Sequence, residues 1–279
     1  MKCPAASDRK FGLGEILKKV IMNLSKISRD TKSCKTALPY FFKGGSTAIL
    51  AVHGYNGYSR DLLYVGEMLN KRGFTVSIPR LPGHGTNAAD FHETNFQDWL
   101  RHVSDCYFNL KAEYDTVYLL GFSMGGLLTL LLASRFSVER MALISPAIIN
   151  LKWTIKLTPF LKYFVKKQKR DWQDISTEPD RIYLAQEYWR WHYIQMGAEL
   201  LKLQNLTKKR MPFVSCDTMI IVSKKDEAIP VRVADYIFSK ISSAIKKTVV
   251  LENSPHCSTD GPEKELIADY LAKWFKKEL

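Results

Sequence analysis

The chain has 279 residues, 46% of them hydrophobic and 12% aromatic, and a formal net charge of +13. Those values fit one large globular α/β domain with an inserted subdomain. They come with no apolar run near the roughly 18 residues that span a bilayer, no signal-peptide stretch after Met1-Lys2-Cys3-Pro4, and no nucleic-acid motif.

Five cysteines without CxxC spacing read as free thiols in a reducing compartment, and a cytoplasmic protein is expected. No nucleic-acid partner is expected. The charge is uneven, and an anionic membrane surface or an acidic substrate would account for it; a basic surface that only confers solubility is the plainer alternative.

In chain order, residues 1–38 form a basic N-terminal extension. Residues 1–45 hold ten Lys/Arg against three Asp/Glu. Leu13, Ile16, Leu17, Val20, Ile21, Leu24 and Ile27 recur at helical spacing, with Lys18, Lys19 and Lys26 off the stripe. This predicts an amphipathic helix over 13–27. Its apolar face is expected to dock on the main domain, with a helix resting on lipid as the alternative.

After Pro39 strands and helices alternate. Strands are predicted at Ala48–Val52, Phe74–Pro79, Thr116–Gly121, Arg140–Ser145, Thr218–Ser223 and Thr248–Glu252. Helices are predicted over Ser59–Arg72, Phe96–Glu113, Ser123–Phe136, Val231–Lys240 and Pro262–Lys277. Such alternation implies a mostly parallel, doubly wound α/β sheet, built from residues 39–146 and 216–279. Residues 147–215 interrupt the pattern. They are rich in aromatics, hold thirteen Lys/Arg against six Asp/Glu, and read as an inserted helical cap over the carboxyl ends of the strands, its aromatics lining an apolar pocket.

Gly121-Phe122-Ser123-Met124-Gly125 lies between the apolar run Val117–Leu120 and an apolar helix. Strand, sharp turn and helix in that order hold the central serine in a strained conformation, and glycines two residues away on each side leave it room. A serine nucleophile needs a base and a carboxylate that orients the base. Asp226 follows one predicted strand and His256 follows the next, both at carboxyl ends, where catalytic groups of parallel sheets collect. Asp217 opens its strand and faces the other end. Glu227 is one residue removed from Asp226 and competes with it.

With His53-Gly54-Tyr55-Asn56-Gly57 and Pro82-Gly83-His84-Gly85 added, the chain resembles the α/β-hydrolase superfamily, in its bacterial carboxylesterase and monoacylglycerol-lipase branch. The resemblance implies Ser123 as nucleophile, His256 as base and Asp226 as its orienting acid. It implies an oxyanion hole from the backbone N–H groups of Tyr55 and Met124, with His53, Gly54, Gly121 and Gly125 as structural support. Asp260 is expected to hold the His256 loop. The expected reaction is hydrolysis of a small-molecule ester or lipid, through an acyl-enzyme, with no metal and no cofactor. A thioesterase or C–C bond hydrolase would use the same triad, and a catalytically silent binding protein would keep only the fold.

Overall fold

The computed structural model describes Lys32, residues 34–170 and residues 177–279. The helix expected over 13–27, Cys3 and Trp172 lie outside the described residues.

Strands β1 (Tyr40–Phe42) and β2 (Thr47–Val52) lead into helix α1 (Leu63–Lys71) and strand β3 (Thr75–Ile78). Helices α2 (Ala88–Glu93) and α3 (Phe96–Glu113), strand β4 (Thr116–Phe122), helix α4 (Met124–Ala133) and strand β5 (Arg140–Ile144) follow. The next segment carries α5 (Thr158–Leu161), β6 (Lys167–Lys169), α6 (Pro179–Leu184), β7 (Trp191–Tyr193) and α7 (Ile194–Arg210). Strand β8 (Asp217–Ser223), helix α8 (Val233–Phe238), strand β9 (Lys246–Leu251) and helix α9 (Lys264–Phe275) complete the series.

Seven strands form one sheet in the order β1-β3-β2-β4-β5-β8-β9, parallel except for β1. Side chains alternate across it. Val117 and Leu119 of β4 join one core with residues of α3, α4, α7 and α8, while Tyr118 and Leu120 join another with residues of α1 and α9. Two covered faces explain why the central strands are almost continuously apolar in sequence. Among the described residues, no helix is long and apolar enough to cross a membrane.

Four elements were absent from the sequence-based expectation. β1 is a three-residue antiparallel edge strand, too short to carry a period. Helix α2 is started by the Asn87 side chain, which accepts the Asp90 N–H at 2.8 Å. Between β5 and β8, the helices are joined by an antiparallel pair, β6 with β7.

A buried knot fastens the last helix to the sheet. Trp274 of α9 donates its indole N–H to the Met141 carbonyl at 3.1 Å and returns its own carbonyl to Arg140 Nη1 at 2.7 Å. The Arg140 guanidinium lies 4.6 Å from the indole centroid and 3.4 Å from the carboxylate of Asp217, at the amino end of β8. Trp274→Ala would open a cavity, leave the Met141 carbonyl without its donor and remove the ring beside the Arg140 guanidinium. We expect it to lower stability by about 3–5 kcal/mol in urea titration; a loss under about 1 kcal/mol would contradict this packing account.

Candidate active site

Six parallel strands end on the same side of the sheet, and the loops that leave β2, β4, β8 and β9 converge. Ser123 stands where β4 passes into α4, with φ of +53°. A non-glycine residue holds that conformation only when its surroundings enforce it. Here they do. A Cβ on Gly125 would collide with the Val52 carbonyl oxygen, and one on Gly121 would lie 2.6 Å from Gly126 Cα, so side chains at either position would force the turn apart. The loop after β2 passes equally close, since a Cβ on Gly54 would sit 3.0 Å from that of Ser123.

The structure brings Ser123, His256 and Asp226 into one hydrogen-bonded line. Ser123 Oγ is 3.0 Å from His256 Nε2, and His256 Nδ1 is 2.9 Å and 3.0 Å from the two Asp226 carboxylate oxygens. Asp226 Oδ1 also accepts the N–H groups of Ala228 and Ile229 at 2.9 and 2.8 Å. Burial alone would raise the Asp226 carboxyl, but the hydrogen bond and charge of His256, with those two amides, hold it below its ordinary range. A carboxylate kept ionised opposite Nδ1 favours the tautomer with Nδ1–H, leaving Nε2 as acceptor for the serine proton.

Tyr55 lies in the loop after β2 and Met124 is the first residue of α4, where helix amides have no intrahelical partner. His53 is fully buried beneath them. Its Nε2 accepts the Leu81 N–H at 3.1 Å, which leaves Nδ1–H to donate to the Gly54 carbonyl at 3.0 Å. It therefore ties the loop beside Ser123 to the Pro82–Gly85 loop.

The support of the His256 loop differs from expectation. Asp260 is exposed and lies 3.7 Å from Lys264, so its carboxylate does not hold that loop. Glu227 accepts the His256 N–H at 3.0 Å, and Ser223 Oγ donates to the Ser254 carbonyl at 2.5 Å. Glu263 accepts from the amides of Glu252 and Asn253 and from Ser254 Oγ. Adjacency to Asp226 was the sequence signal for Glu227. Glu263, inside a surface-looking helix start, offered none.

The segment between β5 and β8 grips the same loops. Its π-helical turn Ala185–Trp189 places Trp189 Nε1–H 3.0 Å from the Asn56 carbonyl, and Asn56 Nδ2 donates to the Tyr188 carbonyl at 3.3 Å. Tyr188 hydroxyl accepts the Thr86 N–H and lies within 2.9 Å of the Gly83 and Asn87 carbonyls. Trp153, Phe160, Tyr163 and Phe164 do not share this role. They are exposed, so they line no acyl pocket, against the expectation for the aromatics of this segment.

The family described as serine aminopeptidase, S33, matches residues 46–262. A thermostable monoacylglycerol lipase of Bacillus sp. (strain H-257) is 33% identical over 251 residues, covering 86% of this chain and 95% of that protein. A carboxylesterase of Bacillus subtilis (strain 168) is 25% identical over 246 residues, covering 87% of this chain and 97% of its own. Among solved structures, one from work on LipS and LipT, two metagenome-derived lipolytic enzymes, superimposes with a TM-score of 0.79 at 25% identity. That match covers 88% of this chain and 100% of the other.

Under this site His84 packs edge-on against His53, Phe91 and Trp99, and its Nε2 has no hydrogen-bond partner. Burial pushes its imidazole down to about 4. An unfolded histidine takes up a proton near its ordinary value of about 6.5, so His84 favours the folded state above that pH. Its contribution is lost as pH falls from about 6.5 toward 4. His84→Gln should therefore flatten the stability-against-pH curve there by close to one proton, about 1.4 kcal/mol per pH unit. Parallel curves for the two proteins would reject this assignment.

Proposed function

The chain belongs to the serine aminopeptidase S33 family of α/β-hydrolases, and from that premise we propose how its residues divide the work of ester hydrolysis. It is a serine ester hydrolase of the carboxylesterase and monoacylglycerol-lipase branch. Ser123 is the nucleophile, His256 the base and Asp226 the acid that orients it. The observation that carries this reading is the 3.0 Å approach of Ser123 Oγ to His256 Nε2, backed by Asp226 on the far nitrogen.

In the first half of the reaction, Nε2 takes the hydroxyl proton as Oγ attacks the ester carbonyl carbon. The N–H groups of Tyr55 and Met124 donate to the oxyanion of the tetrahedral intermediate, and each such donor is typically worth about 10²–10³ in rate. The imidazolium returns its proton to the departing alcohol oxygen, leaving an acyl group on Ser123. Water then attacks the acyl carbon, with Nε2 again taking and returning one proton, and the carboxylic acid leaves.

Residues 147–215 act as a cap over the strand ends. The grip of Tyr188 and Trp189 on loops 53–57 and 82–87 supports this division of the chain. The substrates are monoacylglycerols and related esters with an apolar acyl chain, a reading supported by the lipase and esterase relatives. Such substrates partition into lipid, so peripheral contact with an anionic membrane belongs to the same reading. A cytoplasmic location is supported by the free thiols of Cys34, Cys106, Cys216 and Cys257.

Ser123→Ala should lower turnover of a chromogenic ester by at least about 10⁴-fold and abolish fluorophosphonate labelling. Asp226→Asn should cost about 10⁴ in kcat while leaving the fold intact. Unchanged turnover in either variant would overturn the assignment. In a panel of monoacylglycerols, p-nitrophenyl esters and acyl-thioesters, the oxygen esters should be the better substrates; a preference for thioesters would redirect the reading.

A further inference from the structure

We propose that the outward surface of residues 151–169 is a docking face for an anionic lipid bilayer. The inference deepens the lipid-ester reading and rests on it for its purpose, whereas its test is a binding measurement that needs no turnover.

The inner side of this segment is anchored. Thr158 is buried at van der Waals range of Gly197 on α7, where an added Cβ would lie 3.2 Å away, and Ile155 packs on the main core. Apart from Ile155, Thr158, Leu161 and Lys162, every residue from 151 to 169 is exposed. Trp153, Phe160, Tyr163 and Phe164 are 65%, 68%, 76% and 73% exposed, and the rings of Phe160 and Phe164 lie 5.3 Å apart. Single exposed aromatics are ordinary, but a cluster confined to one short segment marks a contact surface.

Charge decides the occupant. Residues 151–170 contain seven Lys/Arg and no Asp/Glu. Lys152, Lys156 and Lys166 are exposed among the aromatics, and the Lys162 ammonium is 5.1 Å from the Tyr163 centroid. Rings that enter the headgroup layer while lysines reach anionic phosphates are what a bilayer surface accommodates. A second copy of the chain, joined through the same face about a two-fold axis, would set these positive charges against themselves. The N-terminal residues 1–31 hold seven Lys/Arg against three Asp/Glu, so they match the face in sign and complement it no better. An anionic lipid surface complements both the apolar and the charged groups.

Leu151, at the start of the face, donates its N–H to the Ala228 carbonyl in the Asp226 loop at 2.9 Å, and Tyr188 and Trp189, further along the same insertion, hold the loops beside Ser123. Docking here would put the ester-cleaving site next to the layer from which an acyl substrate leaves.

The test is co-sedimentation of the full chain with phosphatidylcholine vesicles, with and without phosphatidylglycerol. The wild type should bind the anionic vesicles at least about ten-fold more tightly and release them as salt is raised. Phe160→Ser with Phe164→Ser should weaken binding to them about ten-fold or more. Lys152→Glu with Lys156→Glu should remove the preference for phosphatidylglycerol. Both double variants should hydrolyse a water-soluble short-chain ester within about two-fold of wild type, since the altered side chains are exposed. Wild-type binding without an anionic preference, or variants that bind as the wild type does, would overturn the proposal. So would a wild-type dimer that the Phe160 and Phe164 changes dissociate while vesicle binding stays constant, since the face would then join two copies of the chain.

Discussion

The turn that carries Ser123 has to be held in a backbone conformation that a serine does not adopt unaided, and much of the molecule is arranged around that requirement. Three pieces of chain meet there within van der Waals distance: the end of β2, the end of β4 and the first turn of α4. Gly121 and Gly125 have no space for a side chain at the contact, and a Cβ on Gly54 would sit tightly against that of Ser123. The parallel pairing of β2 with β4, register Val52 to Gly121, sets that distance. Buried helices on both faces of the sheet keep the register from slipping.

Around this rigid centre the other groups are supplied by loops, each fixed by polar contacts at its base. Asp226 is turned toward His256 by two backbone amides of its own loop. His256 is held by Glu227 at its amide and by a loop that Glu263 and Ser223 fasten from below. His53 joins the loops on the opposite side. Preorganisation of this kind is what lets a hydrogen-bonded line respond to charge developing in a reaction without first reorganising.

Much of this arrangement was visible in the sequence, and the gaps have physical causes. Strand positions in the sheet core were read closely because apolar runs bounded by turns are local signals. β1 and the β6–β7 pair escaped because three residues carry no period, and each strand exists only through its partner. The expectation for Asp260 fails, and the part played by Glu263 has no sequence signal, for a related reason. Which carboxylate meets a loop amide depends on how α9 approaches β9, and no spacing encodes that approach.

The sequence by itself determined the alternation of elements, the glycine-flanked serine, the acid and imidazole after consecutive strands, and the unequal placement of charge. All of these follow from residue type and local period. Only the tertiary structure decided that Ser123 and His256, 133 positions apart, come within hydrogen-bond reach, because strand order and register are properties of the whole sheet. Among the described aromatics of residues 147–215 it also set two groups apart. Tyr188 and Trp189 turn inward onto the site loops, while Trp153, Phe160, Tyr163 and Phe164 turn out to solvent. An aromatic residue carries the same apolar surface in either set, and what packs over it settles which way it faces.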